Sequence, residues 1–75
     1  MLTLEQARSL LPAVGDKRME RISGKDSVEQ LKPQKCVVVE VNPERLWYRV
    51  RFEAGFCECY KVPSGKQIKT GDVPW

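Results

Sequence analysis

Hydrophobic and polar residues alternate most regularly in the second half of the chain. Residues 36–41 are rich in valine, and residues 46–53 alternate apolar and polar side chains with the period of two that is typical of a half-buried strand. Asn42 and Pro43 stand between these segments at positions that a type I turn favours. The pattern therefore predicts a β-hairpin.

A third strand is predicted over residues 56–62, after a turn at Ala54 and Gly55 where a bulge is expected. A register that keeps charges out of the core sets Val50 opposite Cys59, whereas a shift of one residue puts Glu58 against Val50. We therefore predict the first register. A short fourth strand is expected over residues 67–70, followed by an extended tail.

The first 35 residues have helical periodicity. Thr3 and Gln6 have the spacing of a capping box, and an apolar stripe follows before Pro12 ends the helix: Leu4, Ala7, Leu10, Leu11 and Val14. Two further short helices are predicted, one from the cap Asp16 to Gly24 and one over residues 26–32. We expect these helices to pack on the sheet.

The predicted fold is a single α+β domain over residues 1–75, with a helical part at 1–35 and a β-meander of three to four antiparallel strands with a tail at 36–75. One sheet face would form the core, with Val37, Val39, Val41, Leu46, Tyr48, Val50, Phe52, Cys57 and Cys59. The reverse face would carry Val38, Trp47, Phe56, Tyr60 and Val62, which is unusually apolar for a solvated surface.

The composition argues against enzymatic catalysis and metal binding. The 75 residues include no His, which removes the commonest general base and metal ligand, and no glycine-rich phosphate loop is present. Three Cys cannot all pair within one chain, and Cys57 and Cys59 point the same way while Cys36 points to the opposite face. We expect reduced, buried thiols, no metal, no cofactor and no enzymatic activity. Without a signal peptide or membrane span, the expected location is cytoplasmic.

Charge is spread evenly along the chain. Residues 1–35 carry seven basic and five acidic side chains and residues 36–75 carry six and five, which together make the net charge of +3. Aromatic and basic residues nevertheless meet on the reverse sheet face, and they form the predicted binding site: Trp47, Arg49, Arg51, Phe56 and Tyr60.

Three uses of this face are open. Trp, Tyr and Arg concentrate binding energy at protein interfaces, so the face could bind a protein or a second copy of the chain. The same rings could stack on bases while arginines contact phosphates, which would make it a nucleic-acid site. Residues 63–75 could also cover it within the chain. An interaction module that binds protein or self-associates is the leading prediction, and nucleic-acid binding is the alternative.

Residues 35–53 resemble short proteins of bacterial mobile elements, which share a valine-rich strand, a turn and a Trp-Tyr-Arg-Val-x-Phe-like strand. The resemblance implies an accessory protein of a prophage or conjugative element and assigns no functional residue. The bent meander is also similar to SH3-like barrels, which are mostly binding modules. Residues 2–11 resemble the opening helix of small helix-turn-helix proteins of the excisionase kind, although Pro12 stands where the turn should begin.

Overall fold

One short α-helix precedes five antiparallel strands in the computed structural model, which describes residues 2–21 and 33–74. Helix α1 spans Leu4–Ser9, and strands β1 to β5 span Lys17–Glu20, Gln34–Asn42, Trp47–Phe52, Cys57–Lys61 and Gln67–Ile68. The strands form one sheet in the order β1-β2-β3-β4-β5, followed by a 3-10 turn at Thr70–Asp72. The coarse prediction of a mixed α+β fold is confirmed, but the prediction of three to four strands was wrong because β1 adds a fifth, and within the described ranges the sheet is not closed.

Helix α1 begins at the predicted capping box. The Gln6 N–H donates to Thr3 Oγ1 at 3.2 Å, and the Thr3 N–H donates to Gln6 Oε1 at 2.8 Å. The apolar stripe of this helix covers less of the sheet than predicted, because Ala7 is buried while Leu4 and Leu10 are exposed. Leu11, just beyond the helix, packs against the core.

The prediction of a helix beginning at Asp16 was wrong, because β1 occupies its first residues. Arg18 pairs with Cys36 of β2, and the Val38 N–H donates to the Asp16 carbonyl oxygen at 2.9 Å. The Asp16 carboxylate accepts the Ala13 N–H at 3.0 Å, in the turn that leads into β1. So short a helix is weak by itself, whereas pairing with the long strand β2 satisfies the same backbone groups. The helix predicted over residues 26–32 lies outside the described residues.

A β-bulge in β2 reverses the predicted faces of its first half. Val38 pairs with Val50 and Glu40 with Arg49, so Val39 is an extra residue in the ladder. A bulge changes which side chains face a given side of the sheet. Val38 and Cys36 therefore share the core face with Val50, and the prediction that Val37 and Val39 lie there was wrong. Val41, which pairs with Tyr48, lies there as predicted.

The predicted register between β3 and β4 was also wrong by one residue. Val50 pairs with Glu58, and Tyr48 pairs with Tyr60. This register brings the rings of Tyr48 and Tyr60 into a stack with centroids 5.7 Å apart. Glu58 is half-buried, and its carboxylate accepts a hydrogen bond from Gln67 Nε2 at 3.0 Å. The stacking of the two rings and the hydrogen bond to the Glu58 carboxylate offset the free-energy cost of placing this charge opposite Val50.

The sheet separates two apolar clusters. The inner face carries the larger one, formed by Cys36, Val38, Tyr48, Val50, Phe52, Tyr60 and Val62. The Tyr60 hydroxyl donates to the Arg21 carbonyl oxygen at 2.9 Å, so Arg21, the residue after β1, lies against β4 on the inner face. The outer face carries the smaller cluster, formed by Trp47, Cys59 and Val73 with Ile68 against them. The chain end thus supplies part of the core.

Gly55 ends the turn between β3 and β4 with a positive φ of 100°. The Phe52 N–H donates to the Phe56 carbonyl oxygen at 2.9 Å, so residues 53–55 form a three-residue loop in place of the predicted two-residue turn. Gly55→Ala is expected to lower the free energy of unfolding by about 1–2 kcal/mol, because the left-handed conformation disfavours a Cβ. Urea denaturation measures this value.

Gly71→Ala is the matched control for the Gly55 substitution. An added Cβ meets nothing within 4 Å at either glycine, but only Gly55 of the two has a positive φ. The control should change the free energy of unfolding by less than about 0.5 kcal/mol. Equal losses in the two variants would contradict a conformational role for Gly55.

Candidate functional site

The five residues predicted to form a binding site do not lie on one face. Trp47 is 0% exposed on the outer face, where its Nε1–H donates to the Pro74 carbonyl oxygen at 2.8 Å. Tyr60 is 2% exposed on the inner face. Residues of the chain end cover Trp47, as one of the three open interpretations expected. The prediction of a shared aromatic surface with Trp47 and Tyr60 was wrong.

Arg49, Arg51 and Phe56 keep part of their surface. Phe56 is 40% exposed and stacks on Phe52, with ring centroids 5.0 Å apart. Arg49 forms an ion pair with Glu40 at 3.2 Å and lies over the Trp47 ring at 5.9 Å. A hydrogen bond to Cys59 and the Glu40 charge raise the pKa of Arg49. Arg51, two residues along β3, is exposed.

An open groove of about 730 Å³ crosses the first three strands beside Arg51. The strand register sets Lys17, Val37 and Arg51 in one row across the sheet, and Met19 and Lys35 in the next. Because alternate residues of a strand share a face, these side chains lie together on the outer face. We call this surface the outer groove and define it by six residues: Lys17, Met19, Lys35, Val37, Arg51 and Glu53.

The outer groove combines exposed apolar surface with positive charge. Met19 is 56% exposed, and Val39, next to Val37 on the bulged strand, is 41% exposed. Three basic side chains and one carboxylate line the groove: Lys17, Lys35, Arg51 and Glu53. Among the described residues none of these four forms an ion pair within 4.0 Å, so the net excess of two positive charges faces solvent.

Arg18, between Lys17 and Met19, turns toward the inner face and is engaged there. Its Nε lies 3.1 Å from Glu20 Oε1, and its guanidinium lies over the Tyr48 ring at 5.2 Å. The Tyr48 hydroxyl donates to the same Glu20 oxygen at 3.1 Å. Burial, together with the Glu20 charge, raises the pKa of Tyr48 to about 12. This cluster links β1 to β3 and is structural.

The cysteines divide between the two faces. Cys36 is buried on the inner face, where burial raises the pKa of its thiol, and Cys59 is buried against Trp47. Cys57 is exposed, so the prediction that all three are buried was wrong for this residue. The described part of the chain contains no cluster of three or more potential metal-ligating His, Cys, Asp or Glu side chains. Nor does it contain a helix that is both long and apolar enough to cross a membrane.

Most of the outer groove was missed in the sequence because β1 was assigned to a helix, and because β2 was predicted to begin at Cys36 with Val37 on the core face. Lys17, Met19, Lys35 and Val37 belong to β1 and β2, and only Arg51 was predicted as a site residue. Residues 17–20 contain one apolar residue, Met19, and so short a segment does not distinguish a strand from one helical turn.

Comparison with known proteins adds no assignment, since the chain matches no family model, no curated protein and no solved structure.

Proposed function

We propose that this protein is a non-enzymatic interaction module that binds a segment of another protein in the outer groove. The supporting observation is the combination of exposed Met19 and half-buried Val37 with Lys17, Lys35 and Arg51 on one surface. Met and Arg are enriched in protein interfaces, and contiguous apolar surface with a polar rim is typical of interaction sites. Of the residues predicted from sequence, Arg51 keeps a binding role in this proposal.

A protein partner is favoured over a nucleic acid because the outer groove presents no exposed aromatic ring to stack on bases. Trp47 and Tyr60 are buried, and Phe52, which is 2% exposed, is the only aromatic residue among the described ones that line the groove. Phe52 itself belongs to the inner cluster. Three cations and an apolar floor therefore suit a polypeptide better than a stacked strand of bases.

The proposal retains the wider context predicted from sequence. The protein would act in the cytoplasm as an accessory protein of a mobile element, without a cofactor or catalytic residue. The hydrogen bond between the Tyr60 hydroxyl and the Arg21 carbonyl oxygen joins the end of β1 to β4 and supports an SH3-like arrangement of the strands, in which the inner cluster lies inside the curved sheet and the outer groove on its surface.

Selection of peptides from a random library on the immobilised protein tests this function. We expect enriched peptides to bind the wild type, and Arg51→Glu to weaken their binding on the order of tenfold, because the reversed charge meets the docked segment. Lys66→Glu is the matched control, since it makes the same charge change at an exposed residue between β4 and β5 and should leave binding unchanged. Fluorescence anisotropy measures each dissociation constant.

Four outcomes would overturn the proposal. The first is failure to enrich any peptide, and the second is equal binding by the wild type and Arg51→Glu. The third and fourth are results that assign the groove to another occupant. One is a dimer in light scattering that Arg51→Glu converts to a monomer. The other is a labelled single-stranded oligonucleotide that binds in the groove with an affinity falling linearly in log salt.

A further inference from the structure

Strand β1 has an open edge beside the outer groove. It is the first strand in the sheet order, so one edge pairs with β2 and the other with no strand of the described residues. The Val38 N–H donates to the Asp16 carbonyl, and antiparallel alternation then directs the N–H and C=O groups of Arg18 toward β2. The same groups of Lys17 and Met19 therefore point away from β2. They form a row that an incoming strand can pair with.

Charge determines which strand can pair there. Two copies of β1 paired edge to edge would place the Lys17 side chains of both copies on the same sheet face, which like-charge repulsion opposes. Lys17, Lys35 and Arg51 instead complement a segment that carries carboxylates. A second copy is thus disfavoured as the occupant, and an acidic segment is favoured.

We propose, resting on the function proposed above, that an acidic, extended segment of the partner protein pairs with the open edge of β1 as a sixth strand. Its carboxylate lies opposite Lys17, and an apolar side chain two residues away lies opposite Met19. Residues two apart on a strand share a face, so both side chains reach the outer groove. Backbone hydrogen bonds to β1 supply affinity, and the alternating side chains supply specificity.

A synthetic peptide of this design tests the pairing directly. The probe is fluorescein-labelled Ser-Thr-Glu-Thr-Val-Thr-Glu-Thr-Ser, and the control peptide has Lys in place of each Glu. We expect the acidic peptide to bind the wild type on the order of tenfold more tightly than the basic one. Equal affinities would overturn the choice of an acidic occupant.

Methylation of the peptide nitrogens, one at a time, examines the backbone pairing without altering the protein. Only alternate N–H groups of an added strand point toward β1, so we expect affinity to fall at every second position and to hold between them. A loss without this period of two would overturn strand pairing. Because the protein is unchanged in this experiment, a loss of affinity at every second peptide position cannot result from damage to the protein fold.

Met19→Pro supplies the complementary change on β1, with Met19→Ala as its control. Proline removes the N–H that points away from β2 and leaves the pairing with β2 in place, a position where edge strands accept it. We expect Met19→Pro to bind the acidic peptide on the order of tenfold more weakly than Met19→Ala does. If the two variants bind equally while Arg51→Glu abolishes binding, the strand pairing is wrong and the outer groove remains the binding site. If the wild type binds no peptide of any kind, both proposals fail.

Discussion

Trp47→Ala is expected to lower the free energy of unfolding by about 3–5 kcal/mol, the range measured when a large buried aromatic residue is truncated. Trp47 is completely buried, and it contacts Val73 and Cys59 in a cluster separate from the main core. A natural domain has only about 5–15 kcal/mol in total, and a chain of 75 residues buries a modest fraction of its surface. The variant should therefore lose a large part of its stability and unfold at a much lower urea concentration than the wild type. Urea denaturation followed by circular dichroism measures the change.

Two variants separate the contributions of the Trp47 ring. Trp47→Phe keeps an aromatic ring against Val73 but loses the hydrogen bond to the Pro74 carbonyl oxygen, so it should be intermediate between the wild type and Trp47→Ala. Val39→Ala removes a side chain that is 41% exposed and should change stability by less than about 1 kcal/mol. A loss below about 1 kcal/mol for Trp47→Ala would contradict the packing of the chain end on the sheet.

Alkaline pH is expected to destabilise the protein through its two buried tyrosines. Burial raises the pKa of Tyr48 from 10.0 to about 12, and burial also raises the pKa of Tyr60. A phenol that is harder to ionise when folded stabilises the protein fully below the unfolded pKa, and this contribution disappears as the pH rises toward the folded pKa. A tyrosine with a pKa of about 12 contributes up to about 3 kcal/mol in this way. Stability should thus fall between pH 10 and about pH 12.

Urea denaturation at a series of pH values, with phenolate absorbance recorded in parallel, measures this dependence. Tyr48→Phe removes one titrating hydroxyl, so its stability should fall less steeply over the same range, although it also loses the hydrogen bond to Glu20. The absorbance of the folded wild type should show ionisation delayed relative to free tyrosine. Ionisation of both phenols near pH 10 without unfolding would contradict their burial.

Local sequence patterns predicted the elements whose partners lie nearby in the chain. The hairpin of β2 and β3, the strands β4 and β5, and the Thr3 capping box all depend on alternation, turn residues or spacing within about ten residues. The opposite orientation of Cys36 relative to Cys57 and Cys59 was also predicted correctly. The strand predicted over residues 67–70, which is β5 in the structure, is shorter than expected and ends at Ile68.

Pairing details were predicted less well, because each depends on groups that are distant in the chain. The bulge at Val39 and the register of β4 each change which side chains face the core, and period-two reasoning carries no information about either. The choice of register by charge alone failed because Gln67, from β5, accommodates Glu58. The candidate site changed with these details, from a face centred on Trp47 to the outer groove.

The sequence by itself therefore determined a small mixed α+β fold built around a β-meander, and a composition without His. The tertiary structure decided that residues 17–20 form a strand, that the chain end buries Trp47, and that Lys17, Lys35 and Arg51 meet on one surface. The physical reason is the range of the interactions. Alternation and capping act within a segment, whereas burial and charge clustering depend on which segments the sheet places side by side.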